Sequence, residues 1–75
     1  MKVDKSFDYR GLICPQPVAN LTRELRNAKS GEIIEVMADD PAFENDVMIW
    51  TTATNCEIID VIHEGPVTKI YLRVV

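Results

Sequence analysis

Asp8-Tyr9-Arg10-Gly11-Leu12-Ile13-Cys14-Pro15-Gln16-Pro17-Val18 is the stretch on which the fold turns, because the hydrophobic period changes from two to nearly four across it. Upstream, Val3, Phe7 and Tyr9 share a parity broken only by Lys5, while Asp4, Ser6 and Asp8 occupy the other, the pattern of a half-buried strand over Val3 to Tyr9. Gly11 ends it. Downstream, Pro15 and Pro17 fall where proline is tolerated, in a first helical turn whose N–H groups have no intrahelical partner. Val18, Leu21, Leu25 and Ala28 then recur at helical spacing, predicting a helix from Pro15 to Lys29 that Ser30 and Gly31 stop.

The remaining sequence repeats the pattern. Glu32 to Ala38 alternates Ile34, Val36 and Ala38 against Ile33, Glu35 and Met37, a second strand. Asp39 or Asp40 can cap the next helix, Pro41 suits its first position, and Phe43, Val47, Trp50 and Thr54 form its stripe toward an end near Asn55. Glu57–Glu64 and Thr68–Val75 are rich in Ile and Val and flank Gly65-Pro66, two antiparallel strands joined by a turn.

The order is therefore β-α-β-α-β-β, with the first two strands parallel. Right-handed crossovers place both helices on one face of the sheet. The expected fold class is an α/β (α+β) two-layer sandwich, a four-stranded mixed sheet with two helices on one side, filling residues 1–75 as one domain. Phe7, Leu21, Leu25, Val36, Val47, Trp50, Val61 and Leu72 are its expected core. Both helices start at the carboxyl edge of the sheet, which brings Cys14 and the Asp39-Asp40 pair to one edge.

Composition limits the function classes. With 47% hydrophobic and 27% charged residues, the 75-residue chain is globular and large enough for one small core. Its net charge of −4 argues against nucleic acid as a direct partner, since phosphate-backbone binding needs a clustered cationic excess. Met1 to Tyr9 holds no hydrophobic run of signal-peptide or membrane-span type, so the expected location is cytoplasmic, without membrane insertion. Two cysteines are too few for a disulfide scaffold.

Cys14 is the candidate reactive residue. It precedes a helix whose unpaired N–H groups and dipole favour an anion, here a thiolate. Arg10 either adds a positive charge that lowers the thiol pKa or pairs with Asp8 as a solvated ion pair. Gly11, Pro15 and Pro17 shape a tight junction that holds the sulfur outward. The bland alternative is that Cys14 is a small buried hydrophobe.

The stretch from Asp8 to Val18, with Cys14-Pro15-Gln16-Pro17 at its centre, resembles the Cys-Pro-x-Pro signature of the TusA/SirA family. Gly31-Glu32, Ala38-Asp39-Asp40-Pro41-Ala42, Asp46-Val47, Trp50 and Asn55-Cys56-Glu57 extend the resemblance over essentially the whole chain. It implies a four-stranded mixed sheet under two helices and a cysteine, here Cys14, that accepts sulfane sulfur from a donor protein and passes it on. The donor implied is a cysteine desulfurase or a rhodanese-like protein. The acceptors implied serve tRNA thiolation, molybdenum cofactor assembly or sulfur trafficking.

This reading needs no cofactor. Cys14 thiolate attacks a donor persulfide or thiosulfonate, becomes Cys14–S–SH and is attacked in turn by the acceptor. Arg23, Arg26, Asp39 and Asp40 are candidate docking contacts for the two partners. Cys56 departs from the family's usual Gly-His-Glu and should lie at the opposite edge, roughly 20 Å beyond the start of the second helix, too far for a disulfide with Cys14. It reads as a partly buried small residue at a strand start. His63 with two thiols cannot close a zinc site, so no metal is expected, and Trp50 reads as core. Two alternatives remain: a non-catalytic regulatory or interaction module built on the Cys-Pro-x-Pro edge, and an RNA-binding domain by fold likeness to the C-terminal domain of translation initiation factor 3, which the acidic charge disfavours.

Overall fold

A computed structural model describes residues 2–13 and 15–75; Met1 and Cys14 lie outside the described residues. The elements are β1 (Lys5–Asp8), α1 (Gln16–Glu24) continued by a 3₁₀ turn (Leu25–Asn27), β2 (Ile33–Ala38), α2 (Phe43–Thr51), β3 (Cys56–Glu64) and β4 (Val67–Val74). They form one four-stranded sheet of order β1-β2-β4-β3, with β1 parallel to β2 and the other two pairings antiparallel. The predicted order and fold class are what the chain adopts.

Alternation along the strands decides which face is covered. Ile34, Val36 and Ala38 of β2 stand beside Leu72 and Ile70 of β4, and these five join Leu21 of α1 with Phe43 and Val47 of α2 in one fully buried cluster. Both helices thus cover the same face. The opposite face stays open and polar: Glu35 accepts hydrogen bonds from Ser6 Oγ at 2.7 Å and Tyr71 Oη at 2.6 Å. Those two donors hold the Glu35 carboxyl below its ordinary pKa, Tyr71 contributing most.

The elements are shorter than the periodicity predicts. α1 gives way to the 3₁₀ turn at Leu25 rather than running to Lys29, because Ala28 is already extended and Gly31 N–H donates to Val74 O at 2.6 Å, pulling the chain into the sheet. Asp40 Oδ1 accepts the Ala42 N–H at 2.8 Å and Asp40 O accepts the Phe43 N–H at 3.0 Å, so Pro41-Ala42 is spent in a turn and α2 begins at Phe43. Gly65, at φ 59°, opens the two-residue turn between Glu64 and Val67, a left-handed position that suits glycine. A register shift between Ile58 and Asp60 bends β3, a free sheet edge, and so discourages continued pairing there.

The core differs from expectation in depth. Leu21, Val36, Val47 and Leu72 are buried as expected, but Phe7, Leu25, Trp50 and Val61 are only half-buried and pack around the cluster. Phe43, the largest fully buried side chain, takes the central place.

Candidate functional site

The junction between β1 and α1 is built from short backbone bonds. Tyr9 N–H donates to Met37 O at 2.8 Å, extending the parallel ladder one residue past β1, and the Tyr9 ring stacks on Phe7 with centroids 5.8 Å apart and planes 3° from parallel. Leu12 N–H then folds back on Tyr9 O at 3.2 Å. Gly11 turns the chain at φ 87°, a conformation costly for any residue with a Cβ. Its N–H donates to Asp39 Oδ1 at 3.0 Å, which ties the loop to the carboxyl end of β2. On the far side, Gln16 N–H reaches Ile13 O at 3.0 Å and Ala19 N–H reaches Pro15 O at 2.9 Å, starting α1. Pro17, in the first turn of α1, is buried against the core.

Cys14, the reactive residue of the sequence reading, lies outside the described residues. Its neighbours Ile13 and Pro15 are both exposed, Ile13 at 72%. The start of α1 carries no side-chain cap and no acidic residue in its first turn, so its dipole meets no built-in anion there.

Of the two expectations for Arg10, pairing with Asp8 is the one realised. Arg10 Nε and Nη2 donate to the two Asp8 oxygens at 2.9 and 2.6 Å, and the Arg10 N–H adds a third bond at 3.1 Å. The guanidinium holds the Asp8 carboxyl down to about 2, and the carboxylate in turn raises Arg10. Arg10 therefore stiffens the loop, and its charge is largely answered before it can act on a neighbour.

Asp39 and Asp40 reach the same edge by different means. Asp39 anchors Gly11, while Asp40 folds onto Ala42 in the turn before α2. Sequence reasoning placed both at this edge but missed the Gly11 bond, which spans 28 residues and has no local signature. Arg23 is hydrogen-bonded to Asn20 within α1, and Arg26 lies in the 3₁₀ turn, 11 residues or roughly 16 Å along the helical path from Pro15. The fold does not bring Arg26 to the loop.

What it does bring there is apolar surface. A cavity of about 320 Å³ between the helices is lined by Pro15, Val18, Asp46, Ile49 and Trp50, and next to it Ile49 and Met48 are 62% and 51% exposed. Trp50 is tied to α1 by its indole N–H donating to Thr22 Oγ1 at 2.8 Å. Glu44, at the start of α2, contacts His63 Nε2 of β3 at 2.5 Å.

Cys56 is set apart from all of this. It starts β3 opposite Val74, beside the amino end of β2, so it lies at the other edge of the sheet from Gly11 and Asp39. Burial pushes its thiol pKa up. The Thr54 hydroxyl lies close enough to soften that rise, yet it makes no hydrogen bond of normal geometry. Among the described residues, no cluster of His, Cys, Asp and Glu could hold a metal ion, and no helix is long and apolar enough to cross a membrane.

Two helices on one face of a small mixed sheet, with a glycine-turned loop pinned at its carboxyl edge, define an α+β two-layer protein whose distinctive geometry is concentrated in one loop. The chain belongs to the family described as sulfurtransferase TusA, which matches residues 5–74. A Bacillus subtilis relative named "Putative sulfur carrier protein YrkI" is 32% identical over 73 residues, covering 97% of both chains. A Thermotoga maritima protein of the same description is 35% identical over 74 residues, covering 97% of this chain and 94% of its own. The fold also matches a SirA-like protein from Desulfitobacterium hafniense at a TM-score of 0.62 and 19% identity, over 92% of this chain and 95% of that one.

Proposed function

We propose that this protein is a sulfur carrier that takes up sulfane sulfur as a persulfide on Cys14 and relays it to an acceptor protein. The observation that carries the reading is the Gly11–Asp39 bond: it pins the loop after β1 at the edge where α1 starts. Family membership and the descriptions of the relatives support the same role.

The transfer balances without a cofactor. Cys14 thiolate attacks the terminal sulfur of a donor persulfide R–S–SH; the Cys14 S–S bond forms, the donor S–S bond breaks, and R–S⁻ leaves with the bonding pair. A nucleophile on the acceptor then attacks the terminal sulfur of Cys14–S–SH, and Cys14 departs again as thiolate. Gly11, Pro15 and Pro17 fix the loop, and Asp8 and Arg10 stiffen its start. The apolar surface of Ile13, Pro15, Met48 and Ile49 is where donor and acceptor would rest in turn, with Asp39 and Asp40 beside it and Arg23 farther along α1. A donor of the cysteine desulfurase or rhodanese class fits this chemistry, in the cytoplasm, with residues 1–75 acting as one domain.

The test is intact-mass measurement after incubation with a cysteine desulfurase and cysteine, or with a rhodanese and thiosulfate. One sulfur removable by thiol reductants should appear, be lost in Cys14→Ser and persist in Cys56→Ser. Loading that survives Cys14→Ser defeats the proposal, and a Cys14 that neither loads nor alkylates readily turns the reading toward a non-catalytic interaction module.

A further inference from the structure

A second cavity lies away from the loop after β1, where the 3₁₀ turn, the end of α2 and the adjoining ends of β3 and β4 diverge. It holds about 370 Å³, at the lower end of the roughly 300–1,000 Å³ typical of small-molecule sites. Its walls are of two kinds. Leu25, Trp50 and Val74 supply half-buried apolar surface, whereas Arg26, Thr54 and Cys56 supply polar and polarisable groups.

Arg26 is the only charged side chain among the described residues that line the cavity, and no ion pair or side-chain hydrogen bond joins it to another described residue. The Thr54 hydroxyl is shut off from solvent, beside the Cys56 thiol and without a hydrogen bond of normal geometry among the described residues. Trp50, by contrast, already spends its indole N–H on Thr22, so its ring faces the cavity as apolar wall. Among the described residues, the cavity beside Pro15 has no cationic side chain in its lining.

We propose that this cavity is a binding site for a small organic monocarboxylate with an apolar tail. The carboxylate sits on the Arg26 guanidinium, whose planar donors match two carboxylate oxygens. The tail lies against Leu25, Trp50 and Val74. The protein's overall negative charge repels polyanions, so a single negative charge on a compact apolar body is the class that fits. The site does not rest on the sulfur-carrier reading.

Trp50 is the sole tryptophan and gives the readout directly. The 75-residue chain is titrated with straight-chain monocarboxylates from butanoate to octanoate while Trp50 emission is followed. A saturable change is expected, about tenfold weaker for the primary alcohol of equal length and for Arg26→Gln, an exposed substitution that leaves the fold intact. Because Trp50 also borders the cavity near Pro15, location is checked separately: in Cys14→Ser protein, bound acid should slow alkylation of Cys56. The proposal is overturned if no acid gives a saturable response, if alcohol and acid bind alike, if Arg26→Gln changes nothing, or if binding leaves Cys56 unprotected.

Discussion

Removing the Asp39 carboxylate tests the bond on which the site geometry depends. Asp39→Ala deletes the acceptor of the Gly11 N–H, a 3.0 Å hydrogen bond joining the loop after β1 to the end of β2. A hydrogen bond to a charged group contributes about 1.5–3 kcal/mol when shielded, but Asp39 and Gly11 are exposed, and solvent screening reduces this to about 1–1.5 kcal/mol. Global stability should fall by no more than that, since the buried cluster of Leu21, Phe43, Val47 and their sheet partners is untouched. The local effect is sharper. If the bond limits opening of the loop, amide exchange at Gly11 should accelerate about fivefold to tenfold, a factor of ten per 1.4 kcal/mol. Asp39→Asn, which retains an acceptor oxygen, should restore most of the protection. Hydrogen exchange by NMR measures both, and alkylation of Cys14 in the same variants reports whether the loop holds the thiol. Unchanged Gly11 exchange in Asp39→Ala, or an Asn variant as fast as the Ala variant, would refute the claim that this bond pins the loop.

Three further outcomes follow from the same geometry. Asp8 has its pKa lowered from 3.8 to about 2 by Arg10, so its ion pair is intact above 3.8 and is lost as pH falls through about 2; an NMR titration should find that midpoint, and Arg10→Ala should return it toward 3.8. Phe43→Ala should cost about 3–5 kcal/mol in denaturant unfolding, because the ring is fully buried, whereas Trp50→Ala, at a half-buried ring with one side-chain hydrogen bond, should cost about 2–3; a reversed order would place the core elsewhere. Cys56, buried and with its pKa raised above 9.0, should alkylate slowly near neutrality and gain speed only in the alkaline range, so fast neutral labelling in Cys14→Ser would contradict its placement.

Much of the fold was legible because it rests on local signals. The alternation of Ile34, Val36 and Ala38, the prolines opening each helical segment and the Gly65-Pro66 turn each reflect backbone preferences that act within a few residues. What stayed hidden depends on contacts distant in sequence. A helical stripe names Phe43, Val47 and Trp50 as one face but does not say which lies deepest; that is set by where β2 and β4 cross beneath α2. The early end of α1 follows from the Gly31–Val74 bond, and the anchoring of Gly11 by Asp39 from the parallel pairing of β1 with β2. At the site, the residue types and their common edge could be read from spacing, but not the partition of labour. The sequence offered Arg10 either to Asp8 or to Cys14, and only the three hydrogen bonds to Asp8 decide between them.

That partition bears on how a thiol would be activated in this loop. With Arg10 committed to Asp8, its Coulombic help to a neighbour is weak. The remaining favourable influence on an anion at position 14 is the dipole of α1, whose first turn holds neither a capping side chain nor an acidic residue. A helix terminus contributes about 0.3–1 kcal/mol at an exposed site, which corresponds to less than one pKa unit. For a carrier a weak pull on the thiol is useful, because a thiolate of very low pKa is a poor nucleophile and a persulfide formed on it is readily displaced by any passing thiol. Alkylation of Cys14 against pH should show a midpoint that Arg10→Ala shifts little. A midpoint that rises by a full pH unit in Arg10→Ala would show that Arg10 acts on the thiol after all.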